Sequence, residues 1–239
     1  PFALPPWNAK PLDLPGDLRG LRIAWCPSPT GGPVDPNVAP AAEKAVRTLG
    51  ARCVEVEQLD PQLSPPVEAL RGAFGAALAK ECRELFPALR DQLSPTFAEL
   101  VSEALTVTLD EYVAAQVARS AFIEQIARLF ERYDVLATPT TAIPAFPTEH
   151  SWGPDHVCGQ AIDPRLGWCF TWPFNLTAQP AISLPCGRSG DGLPYGLQLV
   201  GRRQADELLL RVAAALEETM PWPQGTERIE TVHAEPLCV

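Results

Sequence analysis

The segment from Leu109 to Tyr133 contains no glycine or proline, and it limits the folds open to this chain. Helix-forming residues fill the segment, and Ile123, Ile126 and Phe130 recur at intervals of three and four residues. This spacing predicts one long helix with a single buried face. Closer to the N-terminal end the same face becomes polar, so we expect that part to be exposed to solvent or to line a cavity.

Short apolar segments on both sides of this helix predict β-strands. The strand D-V-L-A-T-P-T begins at Asp134 and ends in a proline-marked turn at Thr140. Four further strands are predicted, at residues 21–25, 53–56, 181–185 and 196–200. The first two of these flank a predicted helix and form a parallel βαβ unit, whereas the last two are joined by a glycine-rich hairpin turn. The predicted fold class is therefore α/β, with a mixed β-sheet flanked by helices.

Composition divides the chain into an arm, one folded domain and a tail. Residues 1–17 are rich in proline and predict an extended linker or arm. The α/β domain is predicted over residues 18–221, and prolines cut its segment 61–107 into short helical pieces, which we interpret as a variable helical insertion. The remaining residues, 222–239, form a polar tail.

Charge and cysteine content narrow the class of protein. The formal net charge is −10, and only three lysines occur, so no basic stripe is available to bind nucleic acid. No basic and apolar leader opens the sequence, and no apolar stretch of about 20 residues is present, so neither a signal peptide nor a membrane span is predicted. The seven cysteines are irregularly spaced, which favours reduced thiols in a cytoplasmic protein.

The sequence contains no recognisable catalytic motif of its own. It has no G-x-S-x-G, no H-E-x-x-H and no G-x-x-x-x-G-K-[ST], and none of its eight serines is next to another. The residues His150, His156, Cys158 and Cys169 are close in sequence, which makes a thiol–zinc module one alternative. Their spacing matches no zinc-ligand pattern, so we predict no metal and no cofactor.

Aromatic residues are concentrated in and after the long loop 142–167, at Trp152, Trp168, Phe170, Trp172 and Phe174. This density is typical either of a loop packed by its own side chains or of the wall of an apolar pocket. A loop of this length inside a compact domain is often functional. Both interpretations remain open from the aromatic residues alone.

Four segments, in order, resemble the amidase-signature family of hydrolases. They are L-R-G-L-R-I-A from Leu18, D-V-L-A-T-P-T from Asp134, F-T-W-P-F-N-L-T-A-Q-P-A-I-S-L-P from Phe170 and G-L-P-Y-G-L-Q-L-V-G from Gly192. The resemblance implies that the α/β sheet is part of the amidase-signature fold. It is dense from about Tyr133 onwards and thin across the helical insertion.

The resemblance also implies what this chain lacks. Family members cleave carboxamides with a Ser–Ser–Lys triad in a Gly/Ser-rich segment of their N-terminal half, and no such segment occurs here. The chain therefore resembles the C-terminal part of such a hydrolase, with no catalytic residue of its own. Its expected partners are a small-molecule amide substrate and the missing N-terminal catalytic half. A non-catalytic binding or regulatory module derived from the family is the alternative function.

The resemblance further implies that this part of the chain contributes walls of the substrate pocket. The candidate substrate-binding residues are Arg119, Phe170, Thr171, Trp172 and Asn175. Two of them have structural alternatives: Arg119 could pair with a surface carboxylate, and the Asn175 amide could fix the loop before the next strand.

Two positions depart from the family pattern. Ala178 replaces a usual glycine, so the local backbone is expected to differ. Trp168 replaces an aspartate that holds the substrate amine in the amidotransferase branch, which favours a bulky apolar or aromatic amide over glutamine. Half of a shared sheet should also leave an apolar face or strand edge uncovered, so we expect a homo-oligomer or aggregation through that surface.

Overall fold

The computed structural model describes residues 14–52, 54–59, 63–149 and 151–222. The predictions for most of the arm, for the tail beyond Trp222 and for His150 lie outside the described residues, as do Cys53 and the start of the helical insertion.

The predicted helices and strands appear in the predicted order, together with three short elements that the sequence does not predict: strands at His156–Val157 and Gln160–Ala161 and a helix at Trp172–Thr177. In chain order, the elements are β1 (Arg22–Trp25), α1 (Val38–Arg47), β2 (Glu55–Gln58), α2 (Val67–Cys82), α3 (Phe86–Leu89), α4 (Pro95–Ala104), α5 (Leu109–Arg132), β3 (Val135–Pro139), β4 (His156–Val157), β5 (Gln160–Ala161), α6 (Trp172–Thr177), β6 (Ala181–Arg188), β7 (Pro194–Gly201) and α7 (Asp206–Thr219). The segment between β2 and α5 is thus helical and broken near its prolines, as its sequence predicts.

Five strands form one mixed sheet in the order β2-β1-β3-β7-β6. Strand β1 is parallel to both β2 and β3, with Ile23 opposite Val56 on one side and Val135 on the other. Strand β7 is antiparallel to β3 and to β6. The predicted parallel βαβ unit, the hairpin and the mixed α/β class are therefore confirmed. Strands β4 and β5 form a separate small hairpin within the long loop.

Each face of the sheet has its own core, because successive side chains of a strand point to opposite sides. Ile23 and Trp25 pack on the first face with apolar residues of α1 and α7. Ala24 and Leu136 pack on the second face with residues of α2, α5 and α6, including Trp172. Both faces of the central strands are covered, which is expected for parallel strands with continuous apolar sequences.

Helix α5 is defined by its N-terminal cap and its apolar face. The Thr108 hydroxyl accepts from the Glu111 N–H, and the Glu111 carboxylate accepts from the Thr108 N–H, which completes a capping box. Farther along, Phe122, Ile126 and Phe130 are buried against the second face of the sheet. The predicted long helix is confirmed and ends one residue earlier than expected.

The first half of α5 presents an apolar stripe to solvent. Leu109, Val113 and Val117 follow one another at intervals of four residues and are 75%, 52% and 67% exposed. Edge strand β6 is also uncovered on the second face, where Ala181 and Ser183 are exposed beside β7. These two surfaces, which we call the open side, lie on the same side of the sheet.

Within the described ranges, no helix combines the length and the apolar content needed to cross a bilayer.

Candidate functional site

Phe170 is fixed at the end of the long loop by the sheet beneath it. Its N–H donates to the carbonyl oxygen of Thr140 at 3.1 Å, and the buried amide of Gln198 donates to its carbonyl oxygen at 3.1 Å and to Thr138 Oγ1 at 3.0 Å. The Phe170 side chain is fully buried. These bonds place the start of α6 at one position on β3 and β7.

Helix α6 directs Trp172 into the second core. The side chain is only 5% exposed and packs in the cluster that contains Phe122 and Ile126 of α5. Among the residues that the structure describes, its indole N–H has no hydrogen-bond acceptor, and nearby in sequence the buried amide oxygen of Gln179 has no donor. A buried polar atom without a partner costs free energy, which makes this indole N–H an unsatisfied donor within the second core.

Arg119 joins α5 to α6. Its Nε donates to the carbonyl oxygen of Leu176 at 2.6 Å, near the C-terminal end of α6, where backbone carbonyls lack helical partners. Among the described residues Arg119 has no carboxylate partner, so the surface ion pair considered from the sequence is not formed there. The side chain is only partly exposed.

Thr171 and Asn175 bring polar groups to the surface of the same helix. The Thr171 hydroxyl is 3.2 Å from the sulfur of Cys169. The Asn175 side chain is exposed, and it makes no hydrogen bond within the part of the chain that the structure describes, so it does not fix the loop there. The structure thus brings the candidate residues together around α6: Phe170 and Trp172 are buried, whereas Arg119, Thr171 and Asn175 remain accessible.

Ala178 ends α6 in a conformation suited to glycine. Its φ is 54° and its ψ is 38°, in the left-handed region that a side chain disfavours. Ala178 thus adopts a conformation that glycine adopts readily and that alanine seldom adopts.

In this region the Ser183 hydroxyl pairs with another hydroxyl group rather than with a base. Ser183 Oγ lies 2.7 Å from Thr140 Oγ1, and Gly196 leaves room for Thr140, since a Cβ there would lie 2.6 Å from the same hydroxyl. Across the described residues, no serine hydroxyl is hydrogen-bonded to a lysine or histidine side chain. The arrangement that lets a base activate a serine is therefore not formed by these residues.

A cavity of about 770 Å³ lies between α2, α4 and the long loop. Leu70, Phe74 and Leu78 line it from α2, while Trp152 and Leu166 line it from the loop. No pattern noted in the sequence predicted this cavity. The spacing of four residues between those α2 side chains is the signal that could have indicated it.

Arg165 joins the loop to α4 beside the cavity. Its guanidinium bonds both carboxylate oxygens of Glu103, at 2.5 and 3.0 Å, and lies 3.1 Å from Glu99. It also stacks over the Trp152 ring at 4.5 Å. The hydrogen bond from Arg165 lowers the pKa of Glu103, and the pKa of Arg165 is raised in return. We call these residues the Arg165 clamp.

Metal ligation was one alternative for the loop. His156 Nδ1 lies 3.1 Å from Asp155, and Cys169 lies beside Thr171. Where the structure describes the chain, no three histidine, cysteine or acidic side chains come together in a way that could hold a metal ion.

Comparison with known proteins places these features in a family. The family model described as Amidase matches residues 8–210. The chain belongs to the amidase family. An acylamidase of Rhodococcus erythropolis is 31% identical over 231 residues, a stretch that covers 91% of this chain and 48% of the acylamidase. A fatty acid amide hydrolase of Medicago truncatula is 31% identical over 214 residues, with 84% and 33% covered.

Solved amidase structures share the fold. A bacterial aryl acylamidase of the amidase-signature family is 26% identical with a TM-score of 0.76, and the match covers 86% of this chain and 45% of that one. A 6-aminohexanoate cyclic dimer hydrolase is 29% identical with a TM-score of 0.69, with 86% and 46% covered. The chain therefore spans about half the length or less of the amidases that it matches.

Proposed function

We propose that this chain is the substrate-binding part of an amidase that hydrolyses the C–N bond of a carboxamide, and that another segment supplies the nucleophile. The observation that carries the proposal is the family match over most of this chain but about half of its relatives, together with the lack of an activated serine in the described residues. Alone, residues 1–239 should therefore bind but not hydrolyse an amide.

The residues around α6 have distinct roles in this proposal. Phe170 and Trp172 form the apolar wall, and the unpaired indole N–H of Trp172 offers one hydrogen bond to the substrate. Arg119, Thr171 and Asn175 supply the accessible polar groups that orient the amide. Arg119 is held by the α6 backbone, so its position is already fixed before a substrate binds.

Two of the relatives support an amide with a large apolar group, whereas others are glutamyl-tRNA(Gln) amidotransferase subunits. The two are an aryl acylamidase and a fatty acid amide hydrolase, whose named substrates carry aryl or long alkyl groups. Trp168, at the position where the amidotransferase branch has an acidic residue, points to the same substrate class.

The open side is the surface on which we place the catalytic segment. The exposed stripe belongs to α5, which Arg119 joins to α6, and three residues separate the end of α6 from the start of β6, so a segment packed on this side would lie near the candidate residues. An apolar stripe and a free strand edge are also surfaces through which proteins associate. If light scattering shows a dimer that disappears in Val117→Lys, a second copy occupies this side instead.

Activity assays with and without preceding coding sequence test the proposal. The purified chain should release no 4-nitroaniline from 4-nitroacetanilide, whereas a protein translated with an in-frame upstream Gly/Ser-rich segment should do so and should lose activity with phenylmethylsulfonyl fluoride. Hydrolysis by residues 1–239 alone that is blocked by this reagent would contradict the proposal. If translation begins at this segment in the cell, the non-catalytic binding module is favoured.

Substitution of Trp172 tests the pocket wall. In the active protein, Trp172→Ala should lower kcat/KM for an anilide relative to acetamide by about tenfold or more, because an apolar contact surface is lost. Phe174→Ala is the matched control, since Phe174 is equally buried in α6 but is not assigned to the wall. An unchanged preference in Trp172→Ala would remove this residue from the pocket.

A further inference from the structure

Strand β7 carries a buried polar side chain within an apolar sequence. Leu197 and Leu199 pack in the first core, and Val200 packs in the second. Gln198 points to the same side of the sheet as Val200 and is only 2% exposed. A buried amide loses its hydrogen bonds to water, so a glutamine at such a position needs partners within the protein that offset this cost. The partners of Gln198 therefore indicate what this residue does.

Both partners of the Gln198 amide group are acceptors. The carbonyl oxygen of Phe170 lies 3.1 Å from Nε2 and has no proton to donate. Thr138 Oγ1 lies 3.0 Å from the same nitrogen and donates its own proton to the carbonyl oxygen of Pro139 at 2.7 Å. Position 198 must therefore supply two N–H groups from one nitrogen atom, which glutamine can do and which methionine or an ionised glutamate cannot.

Helix α6 depends on such long-range bonds because it is short. It has six residues, and an isolated helix of that length is not stable in water. Gln198 donates to the Phe170 carbonyl oxygen just before the helix, and Arg119 donates to the Leu176 carbonyl oxygen near its end. One donor belongs to the sheet and the other to α5, so two separate parts of the fold determine where α6 lies.

We propose that Gln198 is a positioning residue of the candidate substrate wall. It holds the start of α6 against β3 and β7 through Phe170, and in this way it sets where Trp172 and Asn175 lie. The hold on α6 does not depend on catalysis, whereas its effect on an amide substrate rests on the proposed function.

Hydrogen exchange measured by mass spectrometry tests the hold on α6 in the purified chain. The substitution Gln198→Met keeps the length of the side chain but removes both N–H donors. We expect the amides of residues 170–177 to exchange about tenfold faster or more, because both hydrogen bonds are lost. The amides of β3 should stay protected, since they pair with β1 and β7. Unchanged exchange in α6, or equal acceleration in α6 and β3, would overturn the proposal.

Leu197→Ala is the control for a general loss of stability. Leu197 precedes Gln198 in β7 and is also buried, but its side chain packs in the first core, on the other face of the sheet. We expect Leu197→Ala to lower the free energy of unfolding without raising the exchange rate of α6 relative to that of β3. If this ratio rises as much as in Gln198→Met, the exchange of α6 follows stability alone and Gln198 has no positioning role.

Two variants of Thr138 keep the test decisive if Gln198→Met does not fold. Thr138→Val has nearly the same volume but lacks the hydroxyl that accepts from Gln198, so α6 should exchange about threefold faster or more relative to β3. Thr138→Ser retains this hydroxyl and should leave the ratio unchanged. Equal ratios in the two variants would show that the Gln198 amide is not fixed by Thr138, contrary to the proposal.

Kinetics of the longer protein connect the hold on α6 with the substrate. Gln198→Met should raise KM for 4-nitroacetanilide about tenfold and change kcat little, because the wall shifts while the nucleophile lies on another segment. An unchanged KM in a variant whose α6 exchanges faster would contradict the role in the substrate wall.

The positioning role and the hydrolase function can fail separately. If α6 exchange responds as expected but the longer protein cleaves no amide, Gln198 holds α6 and the hydrolase function is wrong. If the longer protein cleaves the anilide but α6 exchange is unchanged in Gln198→Met, the hydrolase function stands and the positioning role is wrong.

Discussion

The side-chain methyl group of Ala178 makes its backbone conformation unfavourable. The left-handed conformation of this residue costs an alanine about 1–2 kcal/mol, because its Cβ approaches the following carbonyl oxygen. Glycine removes that cost, but its greater freedom in the unfolded chain returns about 0.4–1 kcal/mol. We therefore expect Ala178→Gly to raise the free energy of unfolding by about 0.5–1 kcal/mol.

Exposure makes this prediction simple to interpret. The Ala178 side chain is exposed, so its removal loses no buried surface. Urea unfolding followed by circular dichroism should show a higher midpoint with an unchanged slope, and the Tm should rise by about 1–4 °C.

Ala127→Gly is the control for the chemistry of the substitution. Ala127 is also exposed but lies in the middle of α5, where glycine costs about 0.5–1 kcal/mol relative to alanine. The two glycine variants should therefore change stability in opposite directions. If Ala178→Gly destabilises the protein as much as Ala127→Gly does, then strain at the end of α6 is not what the geometry implies.

Other predictions concern packing, thiol reactivity and pH. Gly153→Ala should lower the free energy of unfolding by about 1–3 kcal/mol, because a Cβ there would lie 2.2 Å from Trp168 Nε1. The urea midpoint of this variant should fall accordingly. Burial raises the pKa of Cys26 to about 11 and of Cys186 to about 12, so mass spectrometry should find both unlabelled by iodoacetamide at pH 8 until the protein unfolds. The folded pKa of Glu103 is lowered from 4.5, so the stabilisation from this carboxylate is present above pH 4.5 and is lost as the pH falls through the folded pKa. Pepsin should therefore cut the long loop faster at a pH below the folded pKa of Glu103. In Glu103→Gln the rate of cutting should depend less on pH.

Local signals predicted the elements of the fold well. Helix α5 carries its own cap and an uninterrupted apolar face, and both are read from residues three or four positions apart. The hairpin between β6 and β7 follows from glycines between two apolar segments. Such features depend on residues that are close together in sequence, so they can be predicted from the sequence alone.

Strand boundaries depended on pairing that the sequence does not show. The apolar residues around Val54 predict a strand at 53–56, whereas β2 runs over Glu55–Gln58 and is mostly exposed. It is an edge strand, held by backbone bonds to β1 rather than by burial of its side chains. Hydrophobicity therefore placed it about two residues too early.

The site was predictable only through the resemblance. Family motifs named the residues around α6, but the partner of Arg119 is a backbone carbonyl 57 positions away, which no side-chain pattern specifies. The cavity depends on how α2 and α4 pack against a distant loop, and on the Arg165 clamp between them. Those contacts join segments about 60 residues apart in sequence. The sequence therefore shows which residues are present in each segment, but not that the segments come into contact.

The central strands of the sheet are packed on both faces. Strands β1, β3 and β7 contribute to a core on each side, formed with helices of this chain. Strand β6 differs, because Leu184 is buried on the first face while Ser183 faces solvent on the second. The uncovered surface thus begins beside α6, where the candidate residues lie. In the proposed function, a chain arranged in this way holds the substrate-binding wall beside the surface to which a separate segment brings the nucleophile.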